Sequence, residues 1–529
     1  MLQGILKRLV QTTNVHFKFC YAMNAKMNTV AQTYQIQPQL MEKIVNDELK
    51  TLVAIFVKHQ YQIRIAGGAV RDLLSGEKIP DDVDLATTAT PTEMKKMFAE
   101  ENIRTFNEQG EKHGTVTARI NEKENFEVTT LRIDKVTDGR HAEVEFTKDW
   151  MIDAERRDLT INSLFLDLDG TVYDFFGGKE DLDAQRIAFV GSADARIKED
   201  YLRILRYYRF YGRIAKDVAN HEKETLKAIE NNKEGLAQIS GERIWREWKK
   251  ILSGPMGGPL TLKMIELGLG PYIGLPENLC IENFENCWQV KKNTLHHITL
   301  LVSLLKNQED MMKLHLRLKL SSYERDMGLF LLEHRDIPIN LKYLQKIVLL
   351  KSRQFDHKTK GDYFKKSQIK SKQDYIEQLI KSNLEVNKFL LEEFQSWEVP
   401  KCPINGRDLD ETNLIPRGKA SGKLLSICLN KLTEIWIDSD FKMDKDQLLK
   451  IELPKITDNI NKCPVTESNL QETNLVPRQK LIGVCLNKLT EIWIDSDFKM
   501  DKDQLLKVEL PKIAENMVMQ QSPTTKRKK

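Results

Sequence analysis

Two hydrophobic periods run along this chain of 529 residues. In the N-terminal third, apolar and polar residues alternate over short runs. Arg64-Ile65-Ala66 leads into Gly67-Gly68 and then Ala69-Val70-Arg71-Asp72, which predicts a strand, a turn and a helix. Asn125-Phe126-Glu127-Val128-Thr129-Thr130 alternates with period two and predicts a neighbouring strand. From roughly 190 to 400, Leu, Ile and Lys recur every three or four residues, with breaks at Gly254-Pro255, Gly258-Pro259 and Gly270-Pro271. That spacing predicts consecutive helices. Within it, Glu199 to Phe210 has helical period: Tyr201, Ile204, Leu205, Tyr208 and Tyr211 share an arc that buries. Asp200, Arg203, Arg206 and Arg209 take the opposite half. Strands followed by helices make the fold class α+β.

The end of the chain repeats itself. Residues 428–450 recur identically at 485–507. Similarity extends from Lys401-Cys402-Pro403 against Lys462-Cys463-Pro464 to Glu452-Leu453-Pro454 against Glu509-Leu510-Pro511. Two copies are too few for a solenoid, which needs at least three, and identity of this length signals a recent duplication. The first copy carries Gly406, Asp408, Gly418 and Gly422; the second has Glu467 and Asn469 opposite the first two and a turn four residues shorter. If exposed amides of that turn meet a phosphate backbone, only the first copy keeps the equipment. Both copies also read as plain helical packing units.

Composition narrows the picture. Hydrophobic residues make up 41% and charged residues 30%, enough for sizeable cores in a soluble chain, and no run approaches the 18 apolar residues of a membrane-spanning helix. Net charge is only +4, so an anionic partner must meet a local basic patch. The seven cysteines are odd in number and lack a CxxC pair, which fits a reducing compartment without a disulfide framework or structural zinc. His296-His297 has no further ligand at metal spacing and reads as a packed or surface pair. Before Glu42 there is no acidic residue, while Lys7, Arg8, Lys18 and Lys26 stand among apolar, Thr and Gln residues. Residues 1–30 are thus expected to be a mitochondrial presequence, and a downstream start at Met23 or Met27 would give a cytoplasmic or nuclear form. The basic end, 521–529, reads as a nuclear address, a nucleic-acid contact or a solvated tail.

The candidate chemistry lies in four runs. In Asp82-Val83-Asp84-Leu85, residues i and i+2 of a strand would point both carboxylates the same way. Such a pair repels itself unless a cation lies between, the arrangement that serves phosphoryl and nucleotidyl transfer. Glu127 can supply a third acid. Gly67-Gly68 lets a backbone approach a triphosphate, amides at the helix start can face it, and Arg71 can add a clamp. Arg156-Arg157-Asp158 sets donors beside an acid able to hold a ribose hydroxyl. Asp200 with Arg203, Arg206 and Arg209 places an acid and three planar forks at intervals of three, suited to base edges and phosphates. The alternative for that last run is an intrahelical ladder of ion pairs.

Together these runs resemble the class II CCA-adding enzymes, the tRNA nucleotidyltransferases of the DNA polymerase beta superfamily. The likeness spans about residues 38 to 450: Gly67-Gly68, then thirteen residues, then Asp82-Val83-Asp84-Leu85, followed by Arg156-Arg157-Asp158, the Tyr173 to Gly178 turn, Asp200 to Arg209 and Gly241-Glu242-Arg243. The resemblance implies a catalytic head at 38–185 with a small mixed or antiparallel sheet, then an all-α neck (186–275), body (276–398) and tail (399–457), with the tail copy at 461–515 as a departure from the family. It implies that Asp82 and Asp84 hold two magnesium ions, with Glu127 as third catalytic carboxylate. These ions would activate the 3′-hydroxyl of tRNA for in-line attack on the α-phosphate of CTP or ATP, releasing pyrophosphate. Gly67, Gly68, Arg71, Asp72, Arg157 and Asp158 would bind the nucleotide. Asp200 and Arg203 would present a Watson–Crick-like edge to the base, and Arg206 and Arg209 would complete the pocket. Body and tail would grip the acceptor and TΨC arms of tRNA by shape and phosphate contact. Related readings are a poly(A) polymerase, a partial CC- or A-adding enzyme, and a tRNA-binding protein without catalysis. The full-length segment Leu131 to Trp150, with Asp138-Gly139-Arg140-His141, favours complete CCA addition, and the intact carboxylates favour catalysis.

Overall fold

The computed structural model describes residues 31–513 apart from 77–79, 81, 107–109, 138–141, 291–294, 351–366, 384–387, 416–420, 462–463, 474–478 and 496–499. The expected presequence, the Asp138–His141 tip, Gly418 and the basic tail fall outside the described residues. Two compact units divide after Arg335, inside the stretch expected as one body.

The first unit carries ten strands: β1 (Gln32–Gln35), β2 (Ile63–Ala66), β3 (Leu85–Thr87), β4 (Arg104–Phe106), β5 (Thr115–Ile120), β6 (Glu124–Thr130), β7 (Arg132–Thr137), β8 (Ala142–Phe146), β9 (Phe165–Leu166) and β10 (Thr171–Asp174). Eight form one sheet in the order β1-β10-β9-β2-β3-β6-β5-β4, and β7 pairs with β8 as a separate hairpin. The sheet is mixed, as expected, because β3 runs parallel to β6 while its other described pairings are antiparallel. It is wider than expected, since β1 adds an edge strand that begins before residue 38.

Alternation along these strands splits the core between two faces. Leu85 joins Ile65, Val116, Phe126 and Val128 against helices α1 (Asp47–Lys58) and, beyond the helix α2 (Gly68–Ser75), α3 (Pro91–Glu100). Ala86 and Ala66 turn to the other face, with Leu131, Phe165 and Trp150 of helix α4 (Trp150–Glu155). Helix starts are fixed locally. The Asn46 side chain accepts from the Leu49 amide at 2.8 Å, and Thr90 with Glu93 forms a reciprocal capping box ahead of Pro91.

Beyond the sheet the unit is helical. The expected single helix over 199–210 is two: α5 (Ala193–Glu199) and α6 (Arg203–Ile214), with Asp200 extended between them at φ −154°. The Asp200 carboxylate accepts from the Leu202 amide at 3.1 Å, a local bond that competes with helix continuation. Downstream of the break the arc behaves as predicted: Ile204, Leu205, Tyr208 and Tyr211 are buried, joined by Tyr207 and Phe210, whereas Tyr201 is only half-buried. These residues meet α7 (Gly241–Leu252), whose Trp248 is fully buried. Gly241 is required there by close approach, since a Cβ would stand 1.8 Å from the Arg317 carbonyl oxygen. His296 and His297 are packed, and His297 Nε2 lies 3.2 Å from the buried Glu324.

The second unit contains the repeated tail. In it, α8 (Leu341–Leu349) packs on α9 (Ser421–Asp438), and Lys346 pairs with Asp438 at 2.9 Å. The first copy buries Leu409, Cys428, Leu432, Trp436, Leu448, Leu453 and Ile456. The second, built on α10 (Gln479–Asp495), buries the equivalent Leu470, Cys485, Leu489, Trp493, Leu505, Leu510 and Ile513 in a cluster of its own. Asp408, considered above for a phosphate-binding turn, instead caps its helix through the Asn405 amide at 2.7 Å and holds Lys445. All five described cysteines are free thiols. Because the two clusters share no residue, ending the chain at Asn461 is expected to leave the first copy's thermal transition in place by circular dichroism. A lowered midpoint would show that the second copy props the first.

Candidate active site

The two carboxylates stand where β2, β3 and β6 come together. The Ala66 amide donates to the Asp84 carbonyl at 2.9 Å, and the Gly67 amide to that of Leu164 at 2.9 Å. Chain direction then reverses through Gly67, whose φ of +64° favours glycine and whose missing Cβ would sit 2.7 Å from Arg157 Nη1. Asp82 and Asp84 precede β3 rather than lie within it, because pairing begins only at Leu85. The parallel register Leu85↔Val128 sets Asp84 alongside Glu127, on the face that Ala86 shares. Neither Asp82 nor Asp84 makes a side-chain hydrogen bond or ion pair with a described residue. Burial, then the Glu127 charge, raise the affinity of Asp84 for a proton; Arg157 opposes this and Asp82 adds to it. Among the described residues, no trio of His, Cys, Asp or Glu is placed to hold a metal ion unaided.

Arg157 approaches this carboxylate group without pairing with it. Its Nη1 donates to the Asn162 carbonyl at 3.2 Å, and its other nitrogens bind Asp153. Asp158, expected near the sugar, is buried and fully engaged: it accepts from the Leu159 amide at 2.9 Å, Asn162 Nδ2 at 3.2 Å and Arg206 Nε at 2.5 Å. Arg71, expected as a phosphate clamp, is also buried. It binds Asn162 and Asp72 and lies 4.6 Å over the Phe210 ring, while Asp72 holds Arg213 at 2.9 Å. In this structure Arg71, Asp72 and Asp158 therefore join α2 and the Arg157 segment to α6.

The acid and three arginines at 200–209 are each aimed by another residue. Asp200 binds Arg243 of α7 at 2.7 Å, and Arg203 binds Glu199 at 2.6 Å and the Arg156 carbonyl at 3.0 Å. Arg206 pairs with Asp158 and Arg209 with Glu247 of α7 at 3.1 Å, so a ladder within one helix is not what forms. Burial and then the Asp158 carboxylate govern Arg206, and the carboxylates prevail, strengthening its hold on a proton. Asp200 and Arg203 remain partly exposed, joined through the Arg203 amide on the Asp200 carbonyl at 2.9 Å rather than through their side chains. Sequence reasoning missed Asp153, Glu247 and the Arg243 partnership. Only Asp153 had a local signal, since it lies three and four residues before Arg156 and Arg157.

The profile of the poly A polymerase head domain matches residues 63–188, and that of the probable RNA and SrmB-binding site of polymerase A matches 221–277. The mitochondrial CCA tRNA nucleotidyltransferase 1 of Danio rerio is 49% identical over 418 residues, covering 79% of this chain and 93% of that protein. Its Homo sapiens counterpart is 48% identical over 428 residues, covering 79% and 92%. The chain belongs to the CCA tRNA nucleotidyltransferases. Among solved structures, the Bacillus stearothermophilus CCA-adding enzyme in complex with CTP aligns with TM-score 0.60 at 23% identity, over 81% of this chain and 100% of that one. The Thermotoga maritima CCA-adding enzyme complexed with tRNA aligns with TM-score 0.55 at 19% identity, over 80% and 99%. At these identities the two share the fold.

For this CCA tRNA nucleotidyltransferase the raised proton affinity of Asp84 has a thermodynamic sign. Keeping Asp84 ionised disfavours the folded state above its native pKa, and the penalty vanishes below the ordinary value of 3.8, where both states are protonated. Asp84→Asn is expected to raise the thermal midpoint at pH 7 in metal-free buffer, with the gain shrinking toward pH 4. Calorimetry across that range checks it; a variant less stable at pH 7 contradicts it.

Proposed function

We propose that this enzyme adds C, C and A, from CTP and ATP and without a nucleic-acid template, to the 3′ end of tRNA. The observation that carries the reading is the Asp82–Asp84 pair beside the Gly67 turn, to which no described side chain is bonded, in a unit that also sets Asp200 and Arg203 at adjoining helix termini. Relatives matched over nearly their whole length bear the name of this activity, and solved neighbours of the same fold hold CTP, ATP or tRNA.

The donor set suits magnesium. Asp82 and Asp84 offer hard carboxylate oxygens that no described side chain occupies, with Glu127 adding negative charge nearby. Magnesium is commonly held by one or two carboxylates with the remaining positions left to water and substrate phosphates, so a complete protein cage is not required. When bound, two such ions would neutralise charge at the α-phosphate and make the 3′-hydroxyl of tRNA a better nucleophile.

The protein's own groups bind and select. Amides at the Gly67-Gly68 turn and the start of α2 face phosphate oxygens, and Arg157 adds positive charge. Asp200 accepts from the exocyclic amine that cytosine and adenine share, and Arg203 donates to a ring nitrogen or carbonyl oxygen. UTP and GTP lack that 4- or 6-amino group and leave Asp200 unpaired, which is costly in a site built for the bond. Arg206 and Arg209 line the pocket through their anchoring acids, with Arg71, Asp72 and Asp158 bracing it. The helical part grips tRNA by shape and phosphate contact. Mitochondrial destination follows the relatives' names, with a second form starting at Met23 or Met27.

The deciding assay offers a tRNA transcript lacking its last three nucleotides each nucleotide alone, then CTP with ATP, and sizes the products. Extension by two with CTP and by three with both is expected; an open adenosine ladder would mean a poly(A) polymerase. Asp82→Ala or Asp84→Ala should abolish extension while tRNA binding persists, and turnover in either refutes its role. Arg203→Ala should lower incorporation or blur the C and A choice, and unchanged selectivity would remove it from base recognition.

A further inference from the structure

Asp153 of α4 is 1% exposed, and the reaction as described leaves it without a task. One oxygen accepts from the Arg132 amide at 3.2 Å and from Arg156 Nε at 2.8 Å. The other accepts from Arg157 Nε at 3.3 Å and Nη2 at 3.1 Å. Burial works against its charge, yet the Arg157 and Arg156 guanidiniums and the bonds it accepts keep it ionised below the usual carboxylate range. With Nη1 on the Asn162 carbonyl, every nitrogen of Arg157 is engaged by protein, and its plane lies 4.9 Å over the Phe165 ring. Arg157 nonetheless stands at the strand end that carries Asp84: its Nη1 lies 2.7 Å from where a Gly67 Cβ would be, and the preceding Ala66 amide donates to the Asp84 carbonyl at 2.9 Å.

The local charge balance makes that restraint consequential. The Arg132, Arg156 and Arg157 guanidiniums surround two carboxylates, Asp153 and Asp134, with Arg132–Asp134 at 3.2 Å and Arg156–Asp134 at 3.6 Å. Neutralising Asp153 would free Arg157 within an excess of positive charge, with the unpartnered carboxylate of Asp84 as the nearby acceptor. An opposite charge within about 4–6 Å shifts a carboxylate's proton affinity by roughly one to three pKa units, and a divalent cation on the same oxygens feels the same field.

We propose that Asp153 is a positioning residue that holds Arg157 beside Asp84 without letting the two pair, which leaves the Asp84 oxygens to a divalent cation. The inference rests on Asp82 and Asp84 being the cation ligands. Its test follows the thermal midpoint of the full chain against magnesium chloride in the absence of nucleotide, alongside extension rates. Asp153→Asn should need on the order of tenfold more magnesium for half of the midpoint rise, with saturating magnesium restoring most of the extension rate. Asp153→Asn/Arg157→Gln should return the magnesium requirement to within about twofold of the wild type, because the intruding cation is gone. A single variant with wild-type magnesium dependence, or a double variant as impaired as the single, overturns the inference. Asp84→Asn separates the two levels: if it keeps the wild-type magnesium response, the reading of Asp84 as a ligand fails first. If Asp153→Asn does not fold, Arg157→Lys decides: it keeps the charge but cannot span Asp153 and the Asn162 carbonyl together, so it should need several-fold more magnesium, and an unchanged requirement overturns the inference.

Discussion

Like charges repel, and the first unit brings Asp82, Asp84 and Glu127 to one edge of its central strands without pairing the first two with a described basic side chain. Much of the surrounding architecture follows from sustaining that. The parallel β3–β6 pairing fixes Glu127 next to Asp84, while Leu85 and Val128 anchor the same strands in the apolar core. The glycine turn makes room for Arg157, whose Nη1 would stand 2.7 Å from a Cβ there, and Asp153 binds that same guanidinium. Apolar burial thus stabilises a polar edge that electrostatics alone would open.

The same logic governs the arginines of α6. Each is oriented by an acid or carbonyl from a different element: Arg203 by Glu199 and the Arg156 carbonyl, Arg206 by Asp158, and Arg209 by Glu247. A guanidinium fixed at two or three points loses little freedom when it meets a ligand, so its bonds to a base or phosphate cost less ordering. Asp200 gains its orientation from Arg243 across the α6–α7 contact. On the proposed reading, base recognition would depend on helix packing as much as on the two residues that touch the base.

Local patterns were readable from the chain, and long-range pairings were not. The Gly67-Gly68 turn, the alternation through Glu127 and the apolar face of α6 all rest on neighbours a few residues apart, which is the information periodicity contains. The break at Asp200 escaped because a side chain bonding to its own backbone leaves the apolar period intact on either side. Arg71 and Asp158 stand in runs where donors and acids suggest ligand contact, and their partners within the protein, Asn162 for Arg71 and Arg206 for Asp158, lie too far along the chain for spacing to reveal. Strand β1 lay outside the recognisable span, because four residues of edge strand carry almost no pattern of their own.

The duplicated tail holds one more lesson. Twenty-three residues are the same in both copies, and the equivalent side chains make equivalent cores. Just upstream the copies part: Ile427 is 8% exposed in the first, whereas its counterpart Val484 is 42% exposed in the second. A buried position resists substitution because packing judges it; an exposed one is released from that scrutiny. At this position packing therefore constrains the side chain in one copy and leaves it open to solvent in the other, so the same substitution would be felt differently in the two helices.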